Sequence, residues 1–208
     1  MYVEMILAVM LQGPVWAVDA DETPEQRRQL YMPVAQAIEA VARETDNPVR
    51  SAAILIALGQ NETAFSRYVL EGRCLDGPPG MRCDYDPRTR KPLSRGPFQV
   101  RKWCKAQWAA KEGSYESFVE GARCALGYVN KGLQRCLKTP YRAWQGAFAV
   151  YRGQSCSDGG KTGPNFKAHK YTRSMIVAEQ KLKEADRNQS RQFLAYLRQS
   201  YKSGEAED

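Results

Sequence analysis

Residues 52–58 read Ala-Ala-Ile-Leu-Ile-Ala-Leu and open directly into Gly59-Gln60-Asn61-Glu62-Thr63-Ala64-Phe65. The first part is too apolar to face water, so it predicts a buried helix. Asn47-Pro48 supplies the start, a capping side chain followed by a proline at the first helical position. Glu62 falls where that helix runs out. A carboxylate at the edge of an apolar wall is a candidate general acid, because burial disfavours its charged form and raises its pKa. The plainer alternative is a core helix with a polar cap and Glu62 in solvent.

The remaining chemistry is narrow. The chain has a single histidine, His169, which excludes a His-rich metal site and lies in a lysine-rich helical stretch. There is no nucleophile elbow, phosphate-binding glycine loop or His-Glu-x-x-His. Carboxylate chemistry without cofactor or metal is what the composition leaves easy. The net charge of +8 favours an anionic partner. No nucleic-acid reading motif accompanies it, so nucleic acid is not expected. The run Lys167, Lys170, Arg173, Lys181 and Lys183 reads first as a solvated face.

Six cysteines, Cys74, Cys83, Cys104, Cys124, Cys136 and Cys156, are widely spaced with no Cys-x-x-Cys pair. They predict up to three disulfides in an exported protein, against the alternative of buried free thiols. Their spacing does not determine the pairing. Residues 5–18 are mostly apolar, the length of a signal-peptide core and short of the ~20 residues a membrane span needs. Ala17 and Ala20 both fit a cleavage site, although Glu4 stands where a positive charge is usual. Residues 1–20 are therefore expected to be an export signal, 21–202 one domain and 203–208 a disordered tail.

The rest of the chain reads as mainly α. Thr23-Pro24-Glu25-Gln26 is a capping box, and Pro33 predicts a break or kink in the helix that follows. Residues 71–96 are broken by glycines and prolines and predict an irregular excursion, with a short hairpin near 85–92. A Cys74–Cys83 bond would restrain it. Ser114 caps a helix with the stripe Tyr115, Phe118, Val119, Ala122, Leu126, Val129 and Leu133. Thr139-Pro140 starts the next, carrying Trp144, Ala147, Phe148 and Tyr151. Residues 164–187 form another, with Tyr171, Met175, Ala178 and Leu182 in register, and Phe193 to Tyr201 mark a last short one.

Three stretches stand in order: Glu62-Thr63-Ala64-Phe65, Gly96-Pro97-Phe98-Gln99-Val100 and Ala147-Phe148-Ala149-Val150-Tyr151-Arg152-Gly153. Together they resemble the soluble lytic transglycosylases of the lysozyme-like superfamily, with goose-type lysozymes as near relatives. The likeness covers roughly residues 48–155, with Thr63 where the family has Ser and Arg152 where it has Asn. It implies a lysozyme-like α domain acting on peptidoglycan strands in the periplasm or outside the cell, as a monomer. A secretion, pilus or phage assembly is a possible setting. It further implies that Glu62 acts first as acid and then as base, taking the proton of the muramic acid C6 hydroxyl. The product is a 1,6-anhydromuramoyl end. Tyr151 would contact Glu62, while Thr63, Phe65, Gly96, Phe98 and Gln99 would line or support the glycan cleft.

The energetics can be set out without the family. An unperturbed Glu with a pKa of about 4.3 is protonated in only about 0.2% of molecules at pH 7. Raising the pKa to ~6 makes that about 10%, at a cost of about 2 kcal/mol. The wall 54–58 and Phe65 could supply the desolvation. A hydrolase would want a second carboxylate. Asp76, Asp84 and Asp86 follow in the loop, and Asp76 or Asp86 would serve such a muramidase. Beside Gly and Pro, however, such residues are usually turn formers. Tyr151 alone could equally be a core residue and Gly96 a plain turn glycine. Trp103, Trp108 and Trp144 could stack on sugar rings or sit in the core. A non-catalytic basic module binding glycan or nucleic acid remains the alternative of another class.

Overall fold

The computed structural model describes residues 2–13, 19, 21–77, 83–138, 143–157 and 166–204. In chain order the elements are α1 (Tyr2–Leu11), α2 (Pro24–Arg43), α3 (Pro48–Glu62), α4 (Arg67–Leu70), β1 (Ser94–Arg95), β2 (Val100–Arg101), α5 (Lys105–Ala109), α6 (Tyr115–Cys136), α7 (Ala143–Tyr151) and α8 (Phe166–Gly204). The chain is mainly helical, as its periodicity predicts.

The apolar run is the middle of α3. Asn47 caps it, its side chain accepting from the Arg50 N–H at 3.1 Å, and Pro48 stands at the first turn. Every residue from Ser51 to Gly59 is buried. Such a helix needs neighbours on all sides, and α1, α2, α6 and α8 provide them. Burying Ile54, Leu55, Ile56 and Leu58 stabilises the fold by roughly 1.5–3 kcal/mol for each side chain.

α8 lies antiparallel to α3 and is fastened to it near both ends of α3. Near the start of α3, the Arg50 guanidinium makes two bonds to Glu179, at 3.0 and 2.9 Å. Near its end, Asn61 donates to Ser174 at 3.0 Å. The stripe Tyr171, Met175, Ala178 and Leu182 is buried against this seam. The expected break after residue 187 does not occur, and the last two predicted helices are one. No Gly or Pro interrupts the sequence between Phe166 and Lys202, so nothing stops the helix.

α2 begins with the predicted capping box, Thr23 and Gln26 bonding each other's backbone N–H at 2.8 and 3.2 Å. It also runs on through Pro33. The missing N–H costs one helical bond, but Tyr31 and Val34 on either side are buried, and packing holds the helix together. α6 starts at Ser114 as predicted. Its Phe118, Ala122, Leu126 and Val129 enter the core, whereas Tyr115 in the first turn is exposed.

Within the segment expected to be an export signal, Tyr2–Leu11 form α1, whose Met5, Ile6, Leu7, Val9 and Met10 join the same core. Glu4 pairs with Arg28 of α2 at 2.7 Å. The proposed cleavage sites, Thr139-Pro140 and residues 205–208 of the tail lie outside the described residues. Among the described residues no helix is long and apolar enough to cross a membrane.

The cysteines pair as Cys74–Cys83, Cys104–Cys124 and Cys136–Cys156. The first closes the irregular excursion. Beyond it the predicted hairpin is present as a Tyr85–Pro92 bridge, with Asp86 N–H donating to Lys91 at 2.9 Å. β1 and β2 then form a second, shorter hairpin, Ser94 opposite Arg101 and Arg95 opposite Val100. The other disulfides tie the start of α5 to α6, and the end of α6 to the segment after α7.

Candidate active site

Glu62 is presented by an abrupt reversal. α3 ends there, Thr63 leaves helical geometry, and Ala64 and Phe65 take left-handed backbone angles of φ 49° and 55°. Two successive non-glycine residues in that region store strain, which persists only where packing enforces it. The Phe65 ring does so by folding back against α3 at Gly59. A Cβ on Gly59 would lie 2.1 Å from that ring. Phe65 is therefore buried beneath the site and does not face the cleft.

Thr63 joins this reversal to the second motif. Its one hydroxyl hydrogen is shared between Pro97 O at 3.0 Å and Gly59 O at 3.2 Å, and the oxygen accepts from the Phe65 N–H. The turn it holds lies between β1 and β2. Gly96 has φ +67°, and a Cβ there would meet the Gln107 amide nitrogen at 2.5 Å. The space beside Gly96 thus belongs to the buried Gln107, which donates to Arg95 O at 3.2 Å. Gln99 is locked within the turn, donating to Gly96 O at 2.9 Å and accepting from the Ser94 hydroxyl at 2.6 Å. Phe98 is buried, but its carbonyl accepts the Tyr151 hydroxyl. The three sequence stretches are thereby linked through Thr63–Pro97 and Tyr151–Phe98.

They surround a cleft of about 440 Å3, with Glu62, Gln99 and Tyr151 on its walls. A tyrosine not singled out as a site residue from the sequence bonds Glu62. Tyr171, from α8, donates to Glu62 Oε1 at 2.9 Å, while Tyr151 bonds the Phe98 carbonyl. Burial pushes both phenols well above their ordinary pKa, with the nearby Glu62 adding to the effect. Both stay protonated and serve as fixed donors. The sequence marks Tyr171 only as part of an apolar stripe, where its hydroxyl alone sets it apart from a core Phe.

Of the three loop aspartates, Asp84 lines the cleft, and Asp76 and Asp86 do not. Asp86 makes a turn. Its carboxylate accepts from the N–H groups of Arg88 and Thr89, which hold its pKa below the usual range. Asp76 is exposed in the turn that follows Arg73. Among the tryptophans, Trp103 reaches the cleft, 45% exposed and stacked on Tyr128 at 4.7 Å. Tyr128 in turn meets Tyr151 edge-on at 6.1 Å. Trp108 is covered by Arg95, 4.2 Å from its ring centre, and Trp144 packs towards Phe148 in the core.

His169 pairs with Gln145 at 2.8 Å. Cys74, Cys83 and Glu112 are the one cluster of three residues with metal-ligating side chains among the described residues, and the disulfide leaves that cluster no thiolate. The cleft therefore offers a carboxyl group oriented by a phenol, a second carboxylate and an aromatic shelf. In comparisons with known proteins, the chain matches no family model, no curated protein and no solved structure.

Proposed function

We propose that this chain is an exported, lysozyme-like lytic transglycosylase that cleaves the β-1,4 bond between N-acetylmuramic acid and N-acetylglucosamine. The observation that carries the reading is the position of Glu62, at the open end of an otherwise buried helix, in a cleft and held by Tyr171. The bonds linking the three motif stretches support it, as does the aromatic shelf of Trp103. Three disulfides and a net charge of +8 suit a protein working outside the cytosol on an anionic wall.

In the reaction, protonated Glu62 donates to the glycosidic oxygen as the bond from the anomeric carbon breaks. The resulting carboxylate takes the proton from the C6 hydroxyl, whose oxygen bonds the anomeric carbon. Glu62 ends protonated, as it began, and no water is consumed. As Glu62 loses its proton, the bond from Tyr171 becomes charge-assisted and strengthens, which favours the transition state over the ground state.

Asp84 on the same cleft favours a second reading, a muramidase that activates water. The two separate by product. Mass spectrometry of digested sacculi shows anhydro ends for the lyase and reducing ends for the hydrolase, and Glu62→Gln abolishes either. Reducing ends alone would remove the preferred mechanism. Lytic activity that survives Glu62→Gln would remove the site, and a wild type without activity would favour a binding module.

A further inference from the structure

The cleft holds charge that the proposed chemistry does not use. Besides Glu62 and Asp84, its walls include Arg101 and Arg152. Arg101 ends β2 and approaches Asp84 only to 3.9 Å, with both side chains about two-thirds exposed. A pair that loose and exposed contributes little and leaves most of the guanidinium donors unused. Arg152 follows Tyr151 at the end of α7, where its backbone N–H bonds the carbonyls of Phe148 and Ala149. It lines the cleft together with Tyr171 and Glu62. Among the described residues no carboxylate lies within 4.0 Å of its guanidinium. It is also the position at which the family pattern has Asn.

A guanidinium is a rigid planar fork, shaped for two parallel hydrogen bonds to a carboxylate. Neither arginine is needed to protonate a leaving oxygen or to take a hydroxyl proton. A neutral sugar polymer would give them only single bonds to hydroxyl or amide oxygens. The geometry points to Arg152, assisted by Arg101, as a reader of carboxylate on the substrate, which makes the preferred ligand an acidic glycan and not a neutral N-acetylglucosamine polymer of the same backbone. This rests on the glycan-cleaving reading of Glu62. The carboxylate can come from the lactyl ether of a peptide-free strand or from an attached peptide. Trp103 would supply the part of the affinity common to all three ligands, by stacking on a sugar ring.

The test uses the full chain carrying Glu62→Gln, which binds without turnover. Three oligosaccharides of equal length are titrated calorimetrically: a neutral N-acetylglucosamine oligomer, a peptide-free glycan with its lactyl carboxylates, and the same glycan bearing peptides. The acidic ligands should bind roughly tenfold tighter than the neutral one, and added salt should shrink the gap. Arg152→Gln in this background should erase the preference while leaving the neutral oligomer within about twofold. Arg152→Lys, which keeps the charge without the fork, should restore only part of it. Equal binding of both acidic ligands identifies the lactyl carboxylate, and tight binding of the peptide-bearing one alone identifies the peptide. Neutral and acidic ligands bound equally well, or equal losses on Arg152→Gln, would overturn the inference and leave the glycan-cleaving reading standing. No binding of any of the three would overturn both. Thermal denaturation of each variant identifies any loss due to unfolding, and Arg101→Gln then supplies the comparison, with a smaller loss confined to the acidic ligands.

Discussion

Tyr171→Phe removes one hydroxyl and leaves the ring where it is, edge-on to Phe148 at 5.7 Å. What is lost is the 2.9 Å bond to Glu62 Oε1. A neutral hydrogen bond is worth about 1 kcal/mol net, and one to a charged acceptor about 1.5–3 kcal/mol. As Glu62 passes from acid to carboxylate the bond moves from the first class to the second. The differential stabilisation of the transition state is then about 1–1.5 kcal/mol, close to tenfold in kcat. KM should change little, because the single hydrogen of the Tyr171 hydroxyl is committed to Glu62. The assay is release of soluble fragments from purified peptidoglycan, with kcat and KM determined separately. Thermal denaturation confirms that the variant is folded. Tyr151→Phe is the contrast, since its hydroxyl serves the Phe98 carbonyl and its loss should act through the turn. A kcat within twofold of wild type for Tyr171→Phe, together with a large loss for Tyr151→Phe, would refute the assignment.

Other perturbations test the frame around the site. Gly59→Ala would put a methyl 2.1 Å from the Phe65 ring; overpacking of this kind costs about 1–3 kcal/mol, and an unchanged denaturant midpoint would contradict the described reversal. The Arg50–Glu179 pair predicts an acid-sensitive seam between α3 and α8. Bonds from Arg50 and then Lys183 hold the Glu179 carboxyl below its ordinary range. Its contribution is therefore present above the unfolded value of about 4.3 and is lost as pH falls through the lower folded value. With Arg50 and Lys183 partly exposed, the pair is worth only on the order of 1 kcal/mol, and Glu179→Gln should reduce stability at pH 7 and flatten its fall between about pH 5 and 3. Replacing Cys136 and Cys156 with Ser opens a 20-residue loop and should cost about 3 kcal/mol. Peptide mapping without reductant should recover the three pairings described.

How much of this was legible in the residues depended on the range of the interactions. The caps at Thr23, Asn47 and Ser114 satisfy backbone groups within four residues of themselves, and all three stand where local chemistry puts them. The hairpin excursion and the buried length of α3 follow from local composition in the same way. Pro33 and the join at residue 187 did not, because propensity is weak beside tertiary packing and an unbroken run of helix formers. Within the site, it is the resemblance that picks out Glu62, Thr63, Gly96, Gln99 and Tyr151 as a set, and it does not say which of them face the cleft. Thr63, Phe65, Gly96 and Phe98 sit behind it, Phe65 against Gly59 and Gly96 against Gln107.

The sequence by itself determines a mainly helical chain, its disulfide capacity and a carboxylate at the end of the helix that carries the apolar run 52–58. It does so because those properties reside in periodicity, cysteine content and local capping. The partner of that carboxylate was decided only in three dimensions. Tyr171 lies 109 positions from Glu62, and only the antiparallel seam of α3 against α8 brings its hydroxyl there. Tyr151, at the end of α7, bonds the Phe98 carbonyl. Tertiary structure likewise decided that Asp84, Arg101 and Arg152 share one cleft, since separate hairpin and helix ends carry them and no sequence spacing records their meeting.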